Sequence, residues 1–434
     1  MSLSSKRILV LFPLLLSSTE IFAGAFQLWE ESAGSLGDYH AGGAAEADDA
    51  SSIFYNPAGM SRIKNQQFSF GVALIDLGIQ FNGSTYLYGT STPLGTTTAP
   101  VPGDTFNIVP NIHYVYPIDN HWAVGFEETS PFGLSTDYHD TVHEDNRLND
   151  FVDWAATQTE LVTINFNPSV SYAFNDHFSV GMGVDVMYGQ ATYDNVAILA
   201  PLDNQLAGWG YGYNAGILWQ PLPSTRLGMS YRSAVTINAE GDSQFNTGAL
   251  ANTSKVSASF PLPATSIVSL YHDFTQRFAM MASAFYTQWS SFHELVIHNM
   301  AQSKGVAPVT VGLIENYRDT WNYAVGAIYK INKVFSVESG FGHDQTPTQI
   351  PYRDIRLPDN NRYVGSIGLN VHPNNRFKWS FGWTHFFQGA TTVDNSGSLD
   401  TTKTSSSIQT LFAYNKGTVH SDVNVYGLQF TIDF

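Results

Sequence analysis

The chain has 434 residues, a formal charge of −17, no cysteine, and only 13% Asp, Glu, Lys and Arg, about half the share usual in soluble proteins. An acidic balance without clustered cations excludes a nucleic-acid partner, whose phosphates need Lys and Arg, and the absence of an apolar run of about 18 residues excludes a helical membrane protein. Aromatic residues at 14%, 36 Gly and few charges fit a transmembrane β-barrel, the alternative being a secreted β-rich protein.

Lys6 and Arg7 precede an apolar run over 8–16, and small residues follow at Ala23, Gly24 and Ala25. This is the layout of a cleaved secretory signal peptide over 1–23, too short to span a bilayer. No cysteine lies beside it, so no lipid anchor is expected. Residues 24–64 do not alternate; they are rich in Ala, Gly and Ser and carry Glu30, Glu31, Asp38, Glu46, Asp48 and Asp49. Such a segment is either a periplasmic arm or a plug folded within a barrel.

Residues 65–434 read as strands with a parity rule. In HFSVGMGVDVMYG (177–189), Phe178, Val180, Met182, Val184, Val186 and Tyr188 share one face, and Ser179, Gly181, Gly183 and Asp185 the other. The pattern recurs at 162–174, 321–331, 363–371 and 424–434, often with Trp or Tyr at the ends of the apolar face, as in interfacial girdles. The charges of Asp185, Arg232, Lys330, Glu338, Arg362, Lys378 and Asp433 fall on the opposite parity. A lipid-facing Arg or Lys near the midplane costs ~2–4 kcal/mol, whereas one facing a wet lumen costs little. Six short links and seven long segments alternate, which gives a 14-stranded antiparallel barrel with both ends on the turn side and Phe434 closing the last strand.

Two strands break the rule. In HWAVGFEETSPFG (121–133), Trp122, Val124 and Phe126 set the outward parity, and Glu128 shares it. With Gly125 before it and Pro131, Phe132 and Gly133 after it, that carboxylate predicts a bulge or kink in the wall; the plainer alternative is a carboxylate at the interface. Asp76 in the first strand is the same kind of exception, and the pattern offers no reason for it.

Among the long segments, 194–208 carries Val196, Ile198, Leu199, Leu202 and Leu206, and 241–263 carries Phe245, Phe260 and Leu262. These are candidates for an exposed apolar surface, or residues that pack only against neighbouring loops. The pair His293-Glu294 with His298 is spaced one residue too far for HExxH, so zinc is not expected. His139, Asp140, His143 and Glu144 read as a solvated loop, the alternative being a site for a divalent cation. No G-x-S-x-G or Walker loop occurs, and neither a cofactor nor a catalytic residue is predicted.

The stretch GAFQLWEESAGSLGDYHAGGAAEADDASSIFYNPAGM (24–60) resembles the N-terminal hatch of the FadL family of outer-membrane long-chain fatty acid transporters, which includes importers of aromatic hydrocarbons. Phe26-Gln27-Leu28, Ala47-Asp48-Asp49-Ala50 and Asn56-Pro57-Ala58 match its pattern, as do VPNIHYVYPIDNHWAVGF (109–126), SPFGLSTDY (130–138), WGYGYNAGILW (209–219) and the 352–383 region. The resemblance implies a monomeric barrel, 65–434, plugged by a hatch, 24–64, in the bacterial outer membrane. It further implies a capture groove from the 194–208 and 241–263 loops and a lateral opening at 125–133 with Asn56-Pro57-Ala58 beside it. Its ligands are hydrophobic small molecules, and outer-membrane lipids or detergent-like molecules are further partners. A fatty acid headgroup needs a cationic or multi-donor partner. Gln190 and Thr192 stand where relatives can carry basic residues, leaving Arg147, Lys304 and Arg318 as candidates. The expectation is uptake of long-chain fatty acids, or alternatively of neutral hydrocarbons, with a polar-solute porin and a lipid hydrolase as more distant readings.

Overall fold

The computed structural model describes residues 24–138, 151–197, 200–246 and 248–434. The expected signal peptide, Arg147, Ile198, Leu199 and the group His139, Asp140, His143 and Glu144 lie outside the described residues.

Period-two alternation becomes fourteen long strands. They are β1 (Gln67–Leu87), β2 (Thr105–Pro117), β3 (Trp122–Thr129, resuming at Gly133–Asp137), β4 (Gln158–Asn175) and β5 (Phe178–Tyr193). Then come β6 (Ala200–Leu222), β7 (Thr225–Arg232 and Val235–Phe245), β8 (Asn252–Leu262 and Thr265–Asp273) and β9 (Phe278–Thr287 and Glu294–Met300). The circuit ends with β10 (Val309–Ile314 and Thr320–Lys330), β11 (Phe335–Asp344), β12 (Arg362–Asn374), β13 (Phe377–Gln388) and β14 (Ala413–Asp433). Each pairs antiparallel with the next, and β14 returns to β1 in unbroken register from Asp433↔Gln67 to Ala413↔Leu87. The barrel is closed, so no sheet edge is left to satisfy in lipid.

Side chains of one parity form an exposed apolar belt, and those of the other are buried toward the lumen. Tyr116, Trp122, Trp219 and Tyr329 stand exposed at its turn end, and Trp209, Trp321 and Tyr363 at its outer end. Asp76 now has a physical reason. It lies outward on β1, opposite Asn424 of β14, and nine residues beyond Gln67. At ~3.3 Å per residue and a tilt of ~40°, that is roughly 23 Å above the turn end, the outer limit of a band ~25 Å tall. The outward residues beyond it, Gln80, Asn82 and Ser84, are polar.

The 194–208 and 241–263 segments differ from expectation: they are largely wall, not loop. β6 begins at Ala200, β7 runs to Phe245, and β8 starts again at Asn252. Leu202, Leu206, Phe245 and Leu262 point inward and are buried, and Phe260 and Val196 are partly so. The cause is that period two persists above the membrane, where Leu202, Asn204 and Leu206 keep one face turned to the lumen.

The wall is interrupted beside β3. Pairing between β2 and β3 stops at Ile112↔Glu128, and the resumed part of β3 pairs with β4 alone, Gly133↔Val162 to Asp137↔Gln158. The outer half of β2, Thr105 to Asn111, pairs with β1 but has no ladder partner in β3.

Candidate functional site

Residues 24–63 occupy the lumen. They form only short turns and helices, Ala33–Asp38, Gly43–Glu46, Ser52–Tyr55 and Pro57–Arg62, none long enough to be stable alone. Inward side chains of the wall hold this backbone instead. Gln67 of β1 accepts from Ala50 N, Ser269 of β8 from Ala44 N, Ser283 of β9 from Gly42 N, and Gln429 of β14 from Gly34 N, at 2.5–3.1 Å. Ser179 of β5 donates to Ala58 O, Arg226 of β7 to Ala45 O, and Thr384 of β13 to Leu36 O. Small residues permit the approach: a Cβ on Gly368 of β12 would fall 2.8 Å from Gly37 Cα. Counting the packing on β2, β3, β4, β6, β10 and β11, the segment touches all fourteen strands.

Buried charges tie it down further. Arg232 of β7 bridges Asp185 and Glu127, the latter at 3.0 Å, and donates to Phe54 O. Arg362 pairs with Asp344 at 2.6 Å, and Asp344 also accepts from Gly24 N. Lys378 holds Asp48 at 2.8 Å and Asp49 at 3.4 Å near the turn end.

The sequence-derived positions fall as follows. Asn56 caps the Pro57–Arg62 turn by accepting from Ala58 N, and donates to Ala44 O and to Ile217 O of β6. Asn56-Pro57-Ala58 thus sits against β5 and β6 rather than at the interrupted wall. Ile53 and Met60 are the residues beside Gly125, whose added Cβ would lie 2.6 Å from Ile53 Cδ1. Glu128 is outward and partly exposed, whereas its neighbour Glu127 is fully buried against Arg232. At the interruption, Pro131 and Phe132 are engaged by the start of the lumenal segment: Leu28 N donates to Pro131 O at 2.9 Å, and Gly133 N to Phe26 O at 2.8 Å. Phe26 packs edge-on against Trp289 at 4.6 Å, Phe292 at 5.5 Å and Phe132 at 6.2 Å.

Above this aromatic cluster lies an apolar cavity of about 90 Å³. Its walls bring together Phe26, Leu134 and Leu161 with Leu206, Phe260 and Leu262, so three of the residues predicted for a capture surface converge here. The remaining predicted groove residues are elsewhere: Val196 and Leu202 border a second recess, and Phe245 is buried near the β7–β8 hairpin tip. Neither Lys304 nor Arg318 borders the cavity. Both are exposed at the outer end, with Arg318 Nε on Thr346 O at 3.2 Å.

The cation that does border it is Arg356, from the link between β11 and β12. It is buried, its guanidinium carbon lies 3.6 Å over the Tyr193 ring, and its Nη atoms donate to Thr159 Oγ1 and to the carbonyls of Ala155, Gln158 and Asp194. Its Nε is buried with no partner among the described residues. Two acids share the site. Burial, reinforced by Asp354, pushes the Glu315 carboxyl up to about 8, and burial raises that of Asp354 against the pull of Arg356. The site therefore offers one unspent charged donor and a carboxyl of Glu315 held protonated at neutral pH, with Asp354, Glu160, Thr159 and Thr192 at its polar side and a mainly apolar remainder. Among the described residues no group of His, Asp or Glu has a metal-binding arrangement.

A lumen filled by residues 24–63, behind a belt made for lipid, places the molecule among the plugged transport barrels of outer membranes. Its family follows from comparison: the model described as outer membrane protein transport protein (OMPP1/FadL/TodX) matches residues 14–434, and the chain belongs to that family. It is 31% identical to a long-chain fatty acid transport protein of Escherichia coli O6:H1 over 82% of this chain and 84% of that one. It is also 31% identical to a 47 kDa outer membrane protein of Pasteurella multocida, over 89% and 92%. Among solved structures, a Pseudomonas aeruginosa FadL homologue superposes with a TM-score of 0.80 at 23% identity, covering 94% of this chain and all of that one. The Pseudomonas putida toluene transporter TodX does so with a TM-score of 0.69 at 14% identity, covering 94% and 100%.

Proposed function

We propose that this outer-membrane barrel takes up long-chain fatty acids or similar hydrophobic molecules passively, as a monomer and without catalysis, drawing them from the lipids and detergent-like molecules around it. The observation that carries this reading is the mainly apolar cavity beside the interrupted wall, with the Nε of Arg356, unpartnered among the described residues, as a headgroup donor. Burying a chain supplies ~0.8 kcal/mol per CH₂. The charged donor makes an anionic headgroup tolerable where an unpaired one would not be.

The cavity is too small for such a ligand as it stands. At about 90 Å³ it falls below the ~150 Å³ that admits benzene in an engineered apolar cavity. Phe26 is the side chain whose withdrawal enlarges it, and its backbone is hydrogen-bonded to the 131–133 break. Ligand entry and opening of the wall are therefore one event: the chain that displaces Phe26 also removes its bonds from the break. The outward neighbours there, Phe106 and Ile108, are exposed and apolar, so release is into the membrane.

The test is titration of the purified, delipidated barrel with a long-chain fatty acid, its methyl ester and an aromatic hydrocarbon, at pH values either side of the carboxyl pKa. Preference for the anion supports the fatty acid reading. Equal or better binding of the neutral ligands, which the neighbouring Glu315 and Asp354 would favour, moves the assignment to hydrocarbons. No binding of any of them refutes the reading.

A further inference from the structure

The wall is broken a second time, between β8 and β9. We propose that this seam is an entrance through which an amphiphile passes from the outer surface into the apolar cavity, an inference that rests on reading that cavity as the hydrophobe site.

The ladder of β8 and β9 is regular from Asp273↔Ala279 up to Thr265↔Thr287. One more backbone bond follows, from Gln288 N to Ala264 O at 2.9 Å, and among the described residues the ladder resumes only at Ala258↔Ile297 and Ser257↔His298. Between the two ladders β9 has nine residues, 288–296, where β8 has six, 259–264. The surplus forms the Trp289–Ser291 turn, which carries Trp289 and Phe292 into the lumen, both buried. On β8 the same stretch contains Pro261 and Pro263, neither of which can donate to a neighbouring strand.

Alternate residues of these two unpaired stretches line two spaces that lie back to back. Inward, Phe260, Leu262, Phe292 and Leu295 wall the apolar cavity. Outward, Ser259, Pro261, Ser291 and His293 line a recess of about 430 Å³ on the outside of the barrel. A single strand's thickness without a ladder separates them. The recess is rimmed by exposed Asn238, Glu240 and His298, and it stands above the girdle at Tyr231, Tyr286 and Trp321. It opens onto the polar headgroup layer and not onto lipid tails, the reverse of the β2–β3 break, whose outward neighbours are Phe106 and Ile108.

The two breaks meet at one cavity, lined by Phe260 and Phe292 from the second and by Leu134 and Phe26 from the first. That arrangement defines a direction across the barrel, in at the headgroup level through β8–β9 and out at the lipid level through β2–β3. It also defines the ligand class. A polar, hydrogen-bonding head sits among hydroxyls, imidazoles and Glu240 while its apolar tail reaches the cavity.

Because the chain has no cysteine, Ser291→Cys places a unique thiol in the recess. Reaction with a bulky polar maleimide should slow association of a fluorescent long-chain fatty acid with the purified barrel about tenfold or more, while the unlabelled variant keeps the native rate. Thr418→Cys, exposed on β14, is the labelling control and should show no change. Equal association rates for labelled and unlabelled Ser291→Cys would overturn the entrance while leaving the cavity reading intact. Failure of the native barrel to bind any hydrophobe would overturn both.

Discussion

Arg356→Met isolates the headgroup contribution. Both Nη atoms are spent on Thr159 and on the carbonyls of Ala155, Gln158 and Asp194, so among the contacts of the described residues Nε alone is left for a ligand. One charge-assisted hydrogen bond contributes ~1.5–3 kcal/mol, and 1.4 kcal/mol is tenfold. The variant should therefore bind a long-chain fatty acid anion about 10- to 150-fold more weakly, and its methyl ester with nearly unchanged affinity. Equilibrium titration of both ligands on the same preparation measures the difference. Methionine keeps much of the stem's bulk over the Tyr193 ring, and Arg356→Lys keeps the charge but loses the planar fork; it should fall between the two. If Arg356→Met lowers the affinity for acid and ester equally, the guanidinium is a strut for the surrounding carbonyls and not a headgroup contact. If neither affinity moves, the headgroup lies elsewhere.

Glu315 provides a pH signature: its raised carboxyl ionises as pH climbs through about 8, so anion affinity should fall across that range in the native barrel and stay flat in Glu315→Gln. The sign follows from the added negative charge beside an anionic ligand, and the methyl ester should show no such dependence. Gly37→Val drives a side chain into Gly368 and should loosen the lumenal segment, raising single-channel ion conductance in planar bilayers toward that of a barrel lacking residues 24–60; unchanged conductance in both would show that this segment does not close the pore. Arg232→Met strands Glu127 and Asp185 without their shared cation and should cost ~3–5 kcal/mol in urea unfolding from vesicles. Native-like stability of that variant would mean that water already solvates the pair.

How much of this could be read beforehand depended on which side of a residue faces lipid. A charge facing lipid is costly, so the parity of Val180, Met182 and Val184 against Gly181, Gly183 and Asp185 reports a strand directly, and the β3 interruption announces itself through Glu128 and Pro131. The lumen imposes no comparable rule. Ser269, Ser283 and Gln429 read as wall residues facing water, although each accepts a backbone N–H of the lumenal segment. Above the girdle the lipid constraint vanishes, and Leu202, Leu206 and Phe245 looked equally suited to a loop. Pro261 and Pro263 mark the β8–β9 seam, but proline is also at home in a loop. Arg356 was legible only as a cation between Pro351 and Pro358; its meeting with Thr159 and Tyr193, far away in the chain, is a product of barrel closure.

The attachment of residues 24–63 to every strand bears on the order of assembly. Their anchors include Gln67 at the beginning of the wall and Gln429 near its end, and Gly34 cannot meet Gln429 until β14 has closed against β1. Residues 24–63, made before any strand of the wall, are thus among the last to become ordered. Contacts spanning nearly the whole sequence make its docking slow relative to the adjacent hairpins. A settled lumenal segment therefore certifies a finished circuit of strands, and a barrel that closes with one strand missing would lack the anchors to hold it.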